Sequence, residues 1–199
     1  MSLLTSSTPA PSPTPGWSPL TGGTAVWVFM SVEVLTFGLF LLGHAWGWRS
    51  DPEGHAAGQA LLHVRSGLVG TVLLLLGSGL AYLAVLAEEQ GQTRRTIVAF
   101  LAAAACGLAF SVNKLAEYAS PDLAEVGLST SAFWFSYLFL TGLHLLHVVL
   151  GVVLLAWVAW RLARGGPGPT LGVAAVAAYW HLVDVIWLLL FPIVYLMHP

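Results

Sequence analysis

The chain has 199 residues, of which 57% are hydrophobic and only 8% are charged, with a formal net charge of −2. Soluble domains carry about 25% charged residues, so this composition excludes a soluble protein and indicates one that crosses a membrane several times. Seven Lys and Arg residues are too few for a basic surface that follows a phosphate backbone, which excludes nucleic acid as a partner. The single cysteine, Cys106, excludes an intrachain disulfide and any Cys-x-x-Cys metal or redox centre.

The N-terminal residues 1–21 contain five prolines among serines and threonines, and no Lys or Arg. A signal peptide needs a cationic start, an apolar run and a small-residue cleavage site, and the stretch before Gly22 lacks this pattern. We predict a disordered tail at 1–21 and a transmembrane domain at 22–199. A tail that binds a partner is the alternative.

Five apolar runs follow, and each is near or above the roughly 20 residues that an α-helix needs to span the hydrocarbon core. They cover about 24–46, 66–87, 96–118, 131–160 and 171–197. Turn-forming stretches separate them, beginning with Asp51-Pro52-Glu53-Gly54. A helix satisfies its own backbone groups in lipid, and none of the runs alternates like a strand. The sequence therefore predicts an all-α membrane protein, a bundle of five transmembrane helices.

The basic residues indicate the orientation, because loops rich in Lys and Arg favour the cytoplasmic side. With a cytoplasmic N-terminus, four arginines lie on the cytoplasmic side, and two arginines and Lys114 lie on the other. The four are Arg94, Arg95, Arg161 and Arg164, and the two are Arg49 and Arg65. The count favours a cytoplasmic N-terminus and a C-terminus on the outer side.

The first span carries a carboxyl, Glu33, about midway along it, and His44 lies three helical turns further on nearly the same face. A carboxyl at this depth faces protein, lines a water-filled path or stays protonated. Three roles stay open for Glu33: a hydrogen-bonded structural carboxyl, a proton-pathway carboxylate, or a contact with a lipid headgroup or partner.

Small residues recur in the second span, where Ser66 and Gly70, and again Gly77 and Ala81, are four apart. This spacing is typical of helices that pack closely in membranes. We therefore predict a structural role for the second span.

The third span ends in a polar cluster of Lys114, Glu117 and Tyr118, next to Asn113. Lys114 and Glu117 are three residues apart and can pair. Alternatively, Lys114 can extend its side chain to the membrane interface. An interfacial anchor is the favoured interpretation.

The fourth span, 131–160, combines an apolar surface with one stripe of small and polar groups. On a helix these residues fall at steps of three and four. They are Tyr137, Thr141, His144, His147 or Val148, and Gly151. Lipid cannot satisfy such a stripe, and imidazole and hydroxyl groups at this depth face other protein. We expect neighbouring helices to pack against it.

The fifth span holds His181 and, one turn later on the same face, Asp184. A carboxylate beside a histidine is typical of a metal site or a proton relay. The favoured interpretation is a hydrogen-bonded pair that holds this helix against the fourth span.

A bound metal or haem would have to use these histidines and carboxyls. Di-iron bundles use Glu-x-x-His motifs, and none of the five runs contains one. A bis-histidine haem needs facing histidines, and only a loose pairing of His144 or His147 with His181 is available. The spacing therefore argues against a redox centre on this chain.

Several strings of residues, in chain order, resemble subunit III of the haem–copper respiratory oxidases. They are Ser31-Val32-Glu33, the Lys114 to Tyr118 string KLAEY, the Leu140 to Val148 string LTGLHLLHV with Gly151, and the Tyr179 to Trp187 string YWHLVDVIW. The resemblance covers roughly residues 22–197.

The resemblance implies a subunit without its own redox cofactor, packed beside catalytic subunit I, which carries the haems and copper. Family members hold phospholipids in a cleft, support proton uptake and protect the oxidase during turnover. By this analogy Glu33 is the family's buried glutamate. Polar links between helices would be formed by Thr141, His144, His147, His181 and Asp184.

This chain differs from the longer, seven-span members, because it has only the last five spans. One wall of the lipid cleft is therefore missing unless another subunit supplies it. We predict a non-catalytic subunit III of a proton-pumping cytochrome c or quinol oxidase, in the bacterial cytoplasmic membrane, with bound phospholipid. Two alternatives stay open: an accessory protein of a nitric oxide reductase, and an independent haem or metal membrane enzyme.

Overall fold

The structure, a computed structural model, describes residues 24–123, 125–165 and 172–197. Its helices are α1 Thr24–Ser50, α2 Pro52–Ala60, α3 Val64–Glu89, α4 Thr93–Tyr118, α5 Ala132–Ala163 and α6 Val173–Phe191, and a π-helical turn, Pro192–Leu196, continues α6. The described residues contain no β-strand, and five of their helices, all except α2, are long and apolar enough to cross a membrane. The predicted five-helix, all-α membrane fold is therefore confirmed. The predicted tail at 1–21 lies outside the described residues.

Four of the long helices form a ring, and the fifth lies outside it. Helix α3 packs against α4 and α6, and α5 packs against the same two helices. Helix α1 contacts α5 and α6 along one side. Only 11% of the α1 span is buried, against 67% of the span formed by α6 and the π-helical turn. Helix α6 is therefore the most enclosed helix, and most of α1 faces lipid or a partner.

The centre of the ring is filled by Trp180 of α6, which is fully buried. Glycines on three other helices face its indole, and a Cβ built at each shows how close they come. It would lie 3.2 Å from Trp180 Cζ2 at Gly77, 2.4 Å from Cη2 at Gly107 and 2.8 Å from Cε3 at Gly151. The small residues of the second span thus pack against both α4 and the indole of α6, as expected of glycines at membrane helix contacts.

The break that the sequence predicts at Asp51-Pro52-Glu53-Gly54 contains the start of the short helix α2, Pro52–Ala60. Asp51 is its N-cap: the carboxylate Oδ1 accepts the Gly54 N–H at 3.0 Å. Pro52 occupies the first turn, where its missing N–H costs no hydrogen bond. Helix α2 covers one end of the bundle, where Gln59 Nε2 donates to the backbone carbonyls of Val194 at 3.0 Å and Met197 at 3.2 Å. It thereby satisfies carbonyls that the end of the last helix leaves free.

The π-helical turn begins at Pro192, which has no N–H to donate to the carbonyl four residues earlier. Within the turn, the Met197 N–H donates to Pro192 O at 2.9 Å, a spacing of five residues that defines a π-turn. Tyr195 lies inside this turn, and its side chain is buried. The turn therefore supplies a tyrosine to the polar cluster that closes this end of the bundle.

Candidate functional site

The largest polar cluster surrounds Lys114, and we call Lys114, Glu117, Tyr137 and Tyr195 the lysine cluster. Lys114 is 1% exposed and Glu117 4% exposed. The Lys114 ammonium donates to Glu117 Oε2 at 3.3 Å, to the Tyr137 hydroxyl at 3.1 Å and to the Tyr195 hydroxyl. These acceptors use all three of its N–H donors.

The same two tyrosines also donate to the carboxylate. Glu117 Oε1 accepts the hydroxyl of Tyr137 at 3.2 Å and that of Tyr195 at 2.9 Å. Each hydroxyl therefore accepts from the ammonium and donates to the carboxylate, so the cluster is a closed network. It joins α4, α5 and the π-helical turn through two opposite charges whose hydrogen bonds are made inside the protein.

Aromatic rings enclose the ammonium within the described part of the bundle. Lys114 Nζ lies 5.0 Å from the ring centroid of Tyr118, 4.8 Å from that of Tyr137, 5.1 Å from that of Tyr195 and 5.6 Å from that of Trp187. A cation within about 6 Å of a ring centroid is attracted by the ring quadrupole. The rings thus stabilise a charge that apolar surroundings would otherwise disfavour.

A second polar contact joins Glu33 of α1 to His147 of α5. Glu33 Oε2 lies 3.1 Å from His147 Nε2, and the two side chains are 16% and 12% exposed. The other ring nitrogen, Nδ1, lies 2.7 Å from Leu143 O, so it carries a proton and donates it. The Tyr179 hydroxyl donates to His147 O at 3.2 Å, and this bond adds α6 to the contact.

A hydrogen bond between these two side chains requires one shared proton. Because Nδ1 already donates to a carbonyl, Nε2 either carries a proton toward a carboxylate or accepts one from a protonated carboxyl. Both arrangements contain one proton in the Nε2···Oε2 contact. One hydrogen bond between side chains therefore joins α1 to α5 at this contact.

A third polar contact joins α6 to α3. His181 Nδ1 lies 2.5 Å from the Ser78 hydroxyl. Asp184, one turn further along α6, is buried, and its Oδ1 has no hydrogen-bond partner among the described residues. His181 thus packs toward the second span, whereas the sequence favours a contact with the fourth.

His44 makes a similar contact near the other end of α1. Its Nδ1 lies 2.7 Å from the Ser136 hydroxyl of α5, which itself donates to Phe133 O at 2.9 Å. The serine oxygen is therefore the acceptor, and His44 Nδ1 donates. A cavity of about 560 Å3 opens beside this contact, between α1 and α5, with a mainly apolar lining that includes Phe40 and Phe139.

The sequence of this chain is similar to sequences of known proteins. A family model described as cytochrome c oxidase subunit III matches residues 25–198. The chain belongs to the cytochrome c oxidase subunit III family. This confirms the resemblance seen in its motifs, and with the five apolar helices it makes the chain a multi-pass membrane protein and a haem–copper oxidase subunit III.

Named relatives of this subunit III occur in both classes of oxidase. Cytochrome c oxidase subunit 3 of Thermostichus vulcanus is 32% identical over 85% of this chain and 84% of the relative. Quinol oxidase subunit 3 of Bacillus subtilis is 27% identical over 86% of this chain and 84% of the relative. The heme-copper oxidase subunit I+III of Aeropyrum pernix is 32% identical over 87% of this chain, which spans only 22% of that longer protein.

In this subunit III, the residues of the predicted stripe on the fourth span face two different sides of the helix. Tyr137, Thr141, His144, Val148 and Gly151 are buried in the ring, so Val148 continues the stripe. His147 turns away from it toward α1 and Glu33.

Two buried residues of the stripe make different contacts. Thr141 Oγ1 accepts the Tyr118 hydroxyl at 2.7 Å, which links α5 to α4. His144 stacks on Trp187 with a ring-centroid distance of 5.1 Å. Neither ring nitrogen of His144 has a hydrogen-bond partner in the described part of the chain. His144 therefore joins helices by ring packing.

The end of α4 differs from the favoured interpretation of an interfacial anchor. Lys114 pairs with Glu117 inside the bundle and does not extend outward. The i, i+3 spacing correctly indicates that pairing. The tyrosines that complete the network are missed, although Tyr137 is a member of the stripe on the fourth span.

The candidate metal ligands do not converge. Among residues 24–123, 125–165 and 172–197, no group of three or more His, Cys, Asp or Glu side chains is arranged to hold a metal ion. Glu33 and His147 meet each other, while His181 lies against Ser78. The described polar groups instead connect pairs of helices.

Proposed function

We propose that this subunit III is a non-catalytic subunit of a proton-pumping haem–copper oxidase, in which subunit I carries the haems and copper. The exposed surface of α1 is the observation that supports docking of this subunit on subunit I, because only 11% of the α1 span is buried. The Aeropyrum pernix relative, named subunit I+III, supports subunit I as the partner. On this proposal the subunit stabilises subunit I, supports proton uptake through Glu33 and His147, and binds phospholipid.

The proposed setting is the bacterial cytoplasmic membrane, with the N-terminus inside and the C-terminus outside. The start of α1, the α3–α4 turn and the end of α5 belong to the same end of the bundle, because successive long helices alternate in direction. That end carries Arg94, Arg95, Arg161 and Arg164, and basic loops favour the cytoplasm. The cavity between α1 and α5, with its mainly apolar lining, supports the proposed lipid binding.

Purification of the tagged full-length chain from its native membrane in a mild detergent tests the proposed complex. We expect a large polypeptide with two haems and copper to copurify with it. A partner that contains non-haem iron would indicate a nitric oxide reductase instead. A chain that purifies alone with its own Soret band or stoichiometric metal would contradict the proposal.

For Glu33→Gln we expect the complex to assemble normally while proton-coupled turnover falls modestly. The glutamine amide can donate to His147 Nε2 and keep the contact between α1 and α5, but it cannot exchange a proton. We expect a decrease well below the roughly 100-fold loss that removal of a catalytic acid or base causes. Subunit content of the purified complex and oxygen consumption with proton release measure the two effects.

Glu33→Ala is the matched control, because it removes the contact with His147 as well as the titrating group. It should weaken retention of the subunit and lower turnover. If Glu33→Gln loses the subunit as completely as Glu33→Ala does, the carboxyl is structural and its proposed role in proton uptake is wrong.

A further inference from the structure

A groove runs along the outer side of α3 and α4, away from the contacts between α1 and α5. Its volume is about 670 Å3, and side chains of both helices line it. The apolar part of the lining includes Leu80, Leu83 and Leu86 of α3 and Val98 and Ala102 of α4. From Arg94 to Ala102 the groove follows α4 for about 12 Å. One leaflet of a roughly 30 Å hydrocarbon core is about 15 Å deep, so the groove covers most of that depth.

The groove opens at the α3–α4 turn into a shallow recess that is lined by polar and charged residues. This recess, of about 490 Å3, is lined by Gln92, Thr93, Arg94 and Arg95, and it shares Gln92 and both arginines with the groove. Arg95 Nη1 donates to Gln92 Oε1 at 2.6 Å. Arg94 makes no hydrogen bond or ion pair with the described residues. A cationic recess thus continues directly into an apolar groove.

The charges at this turn favour an anion in the recess. Glu88 and Glu89 precede the turn, but neither lines the groove or the recess. Helix α4 begins here, and its N-cap residue, Gln92, makes no side-chain capping hydrogen bond. The first N–H groups of α4 therefore add positive potential beside the two arginines.

We propose that the groove and recess bind an anionic phospholipid, with its phosphate at Arg94 and Arg95 and an acyl chain along α3 and α4. An apolar partner helix would fill the groove but leave both guanidinium groups without a counter-charge, whereas a phospholipid supplies an anion and a chain at the required separation. Guanidinium also matches phosphate geometry better than an ammonium does. The site refines the lipid binding proposed above and is separate from the cavity between α1 and α5.

The test uses the purified full-length chain, together with the subunits that copurify, after delipidation. This sample is titrated with 1-palmitoyl-2-oleoyl-phosphatidylglycerol or with the matching phosphatidylcholine, and native mass spectrometry measures the bound lipid. We expect a specific phosphatidylglycerol adduct whose affinity falls about tenfold or more in R94Q/R95Q, since the phosphate would lose both of the guanidinium groups that line the recess. Arg94 and Arg95 are exposed, so the double variant should fold normally.

The control is R161Q/R164Q. These arginines lie at the same end of the bundle and stack on Trp157 and Trp160, outside the groove. This double variant should bind phosphatidylglycerol like the parent chain. Equal losses in both double variants, or no loss in R94Q/R95Q, would overturn the site.

Two further measurements distinguish other occupants. Competition by millimolar inorganic phosphate would indicate a free-anion site and contradict a lipid site. A photo-crosslinker at Val98 should capture lipid, and capture of another polypeptide would contradict the proposal. The same samples report which oxidase subunits copurify, so a failure of the proposed complex is distinguishable from a failure of the lipid site.

Discussion

Replacing Lys114 with Met is expected to lower the free energy of unfolding by about 3–5 kcal/mol, the usual cost of removing one partner of a buried ion pair. The reason lies in the closed network, because Glu117 is 4% exposed and would keep a charge without its cation. The two tyrosine hydroxyls that donate to Glu117 cannot replace the ammonium. Thermal unfolding of the purified protein in detergent measures the effect.

The double variant Lys114→Met with Glu117→Gln separates charge from packing. Replacing a buried ion pair by well-packed uncharged residues of similar volume can be neutral or stabilising, as is known for hydrophobic replacements. Here no unpaired charge stays behind, and a glutamine oxygen can still accept from Tyr137 and Tyr195. We therefore expect the double variant to recover most of the lost stability. Leu115→Met is the matched control, since Leu115 is 56% exposed and its replacement should change little.

Two outcomes would contradict this account of the lysine cluster. One is a Lys114→Met variant as stable as the parent protein, which would mean that the pair contributes no net stability. The other is a double variant no more stable than the single one, which would mean that the loss comes from packing around the lysine side chain.

The lysine cluster also shows how far the sequence predicts the site. The pairing of Lys114 with Glu117 is visible because residues three apart on a helix are neighbours. The burial of the pair is not visible, because it depends on Tyr137 and Tyr195, which come from other helices. The π-helical turn that contains Tyr195 begins at Pro192, which has no backbone N–H. Hydrophobic periodicity does not predict such a change in helix type.

The contacts of the histidines have the same limit. Periodicity places His147 and His181 on faces of their own helices, but it does not say which helix each face meets. The ring places α6 between α3 and α5, and His181 contacts Ser78 of α3. His147 meets Glu33 because α1 lies outside the ring against α5. Neighbours in a bundle are set by the packing of whole helices.

Helix α2 is a different case, because its signals are present in the sequence. Asp51 followed by Pro52 is a typical N-cap and first position of a helix, and both act so in the structure. The same residues are also typical of a turn, and the segment is too short to span a membrane. Local signals therefore fit both interpretations, and the contacts of Gln59 with the end of the last helix decide between them.

Gly107→Ala should destabilise the bundle by about 1–3 kcal/mol, the typical cost of overpacking a core. The new Cβ would lie 2.4 Å from Trp180 Cη2 and 2.6 Å from Val152 Cγ2. Both distances are far below van der Waals contact, and the indole is held from other sides by Gly77 and Gly151. It cannot move away without displacing α3 or α5.

The sign of this effect distinguishes packing from helix propensity. Alanine favours a helix over glycine by about 1 kcal/mol, so a glycine without close neighbours should give the opposite result. Gly142 of α5 is that control, because no described atom lies within 4 Å of a Cβ built there. We expect Gly142→Ala to be neutral or stabilising in the same thermal unfolding assay, and Gly107→Ala to be destabilising.

Trp180→Phe should partly rescue Gly107→Ala, because a smaller ring leaves room for the added methyl group. Alone, Trp180→Phe leaves a cavity and should itself destabilise the protein. The loss of unfolding free energy in the double variant should therefore be smaller than the sum of the losses in the two single variants. Strictly additive losses would show that Gly107 and Trp180 do not contact each other. The ring of helices would then not depend on an indole held between glycines, and the close approach of α4 to α6 would need another cause.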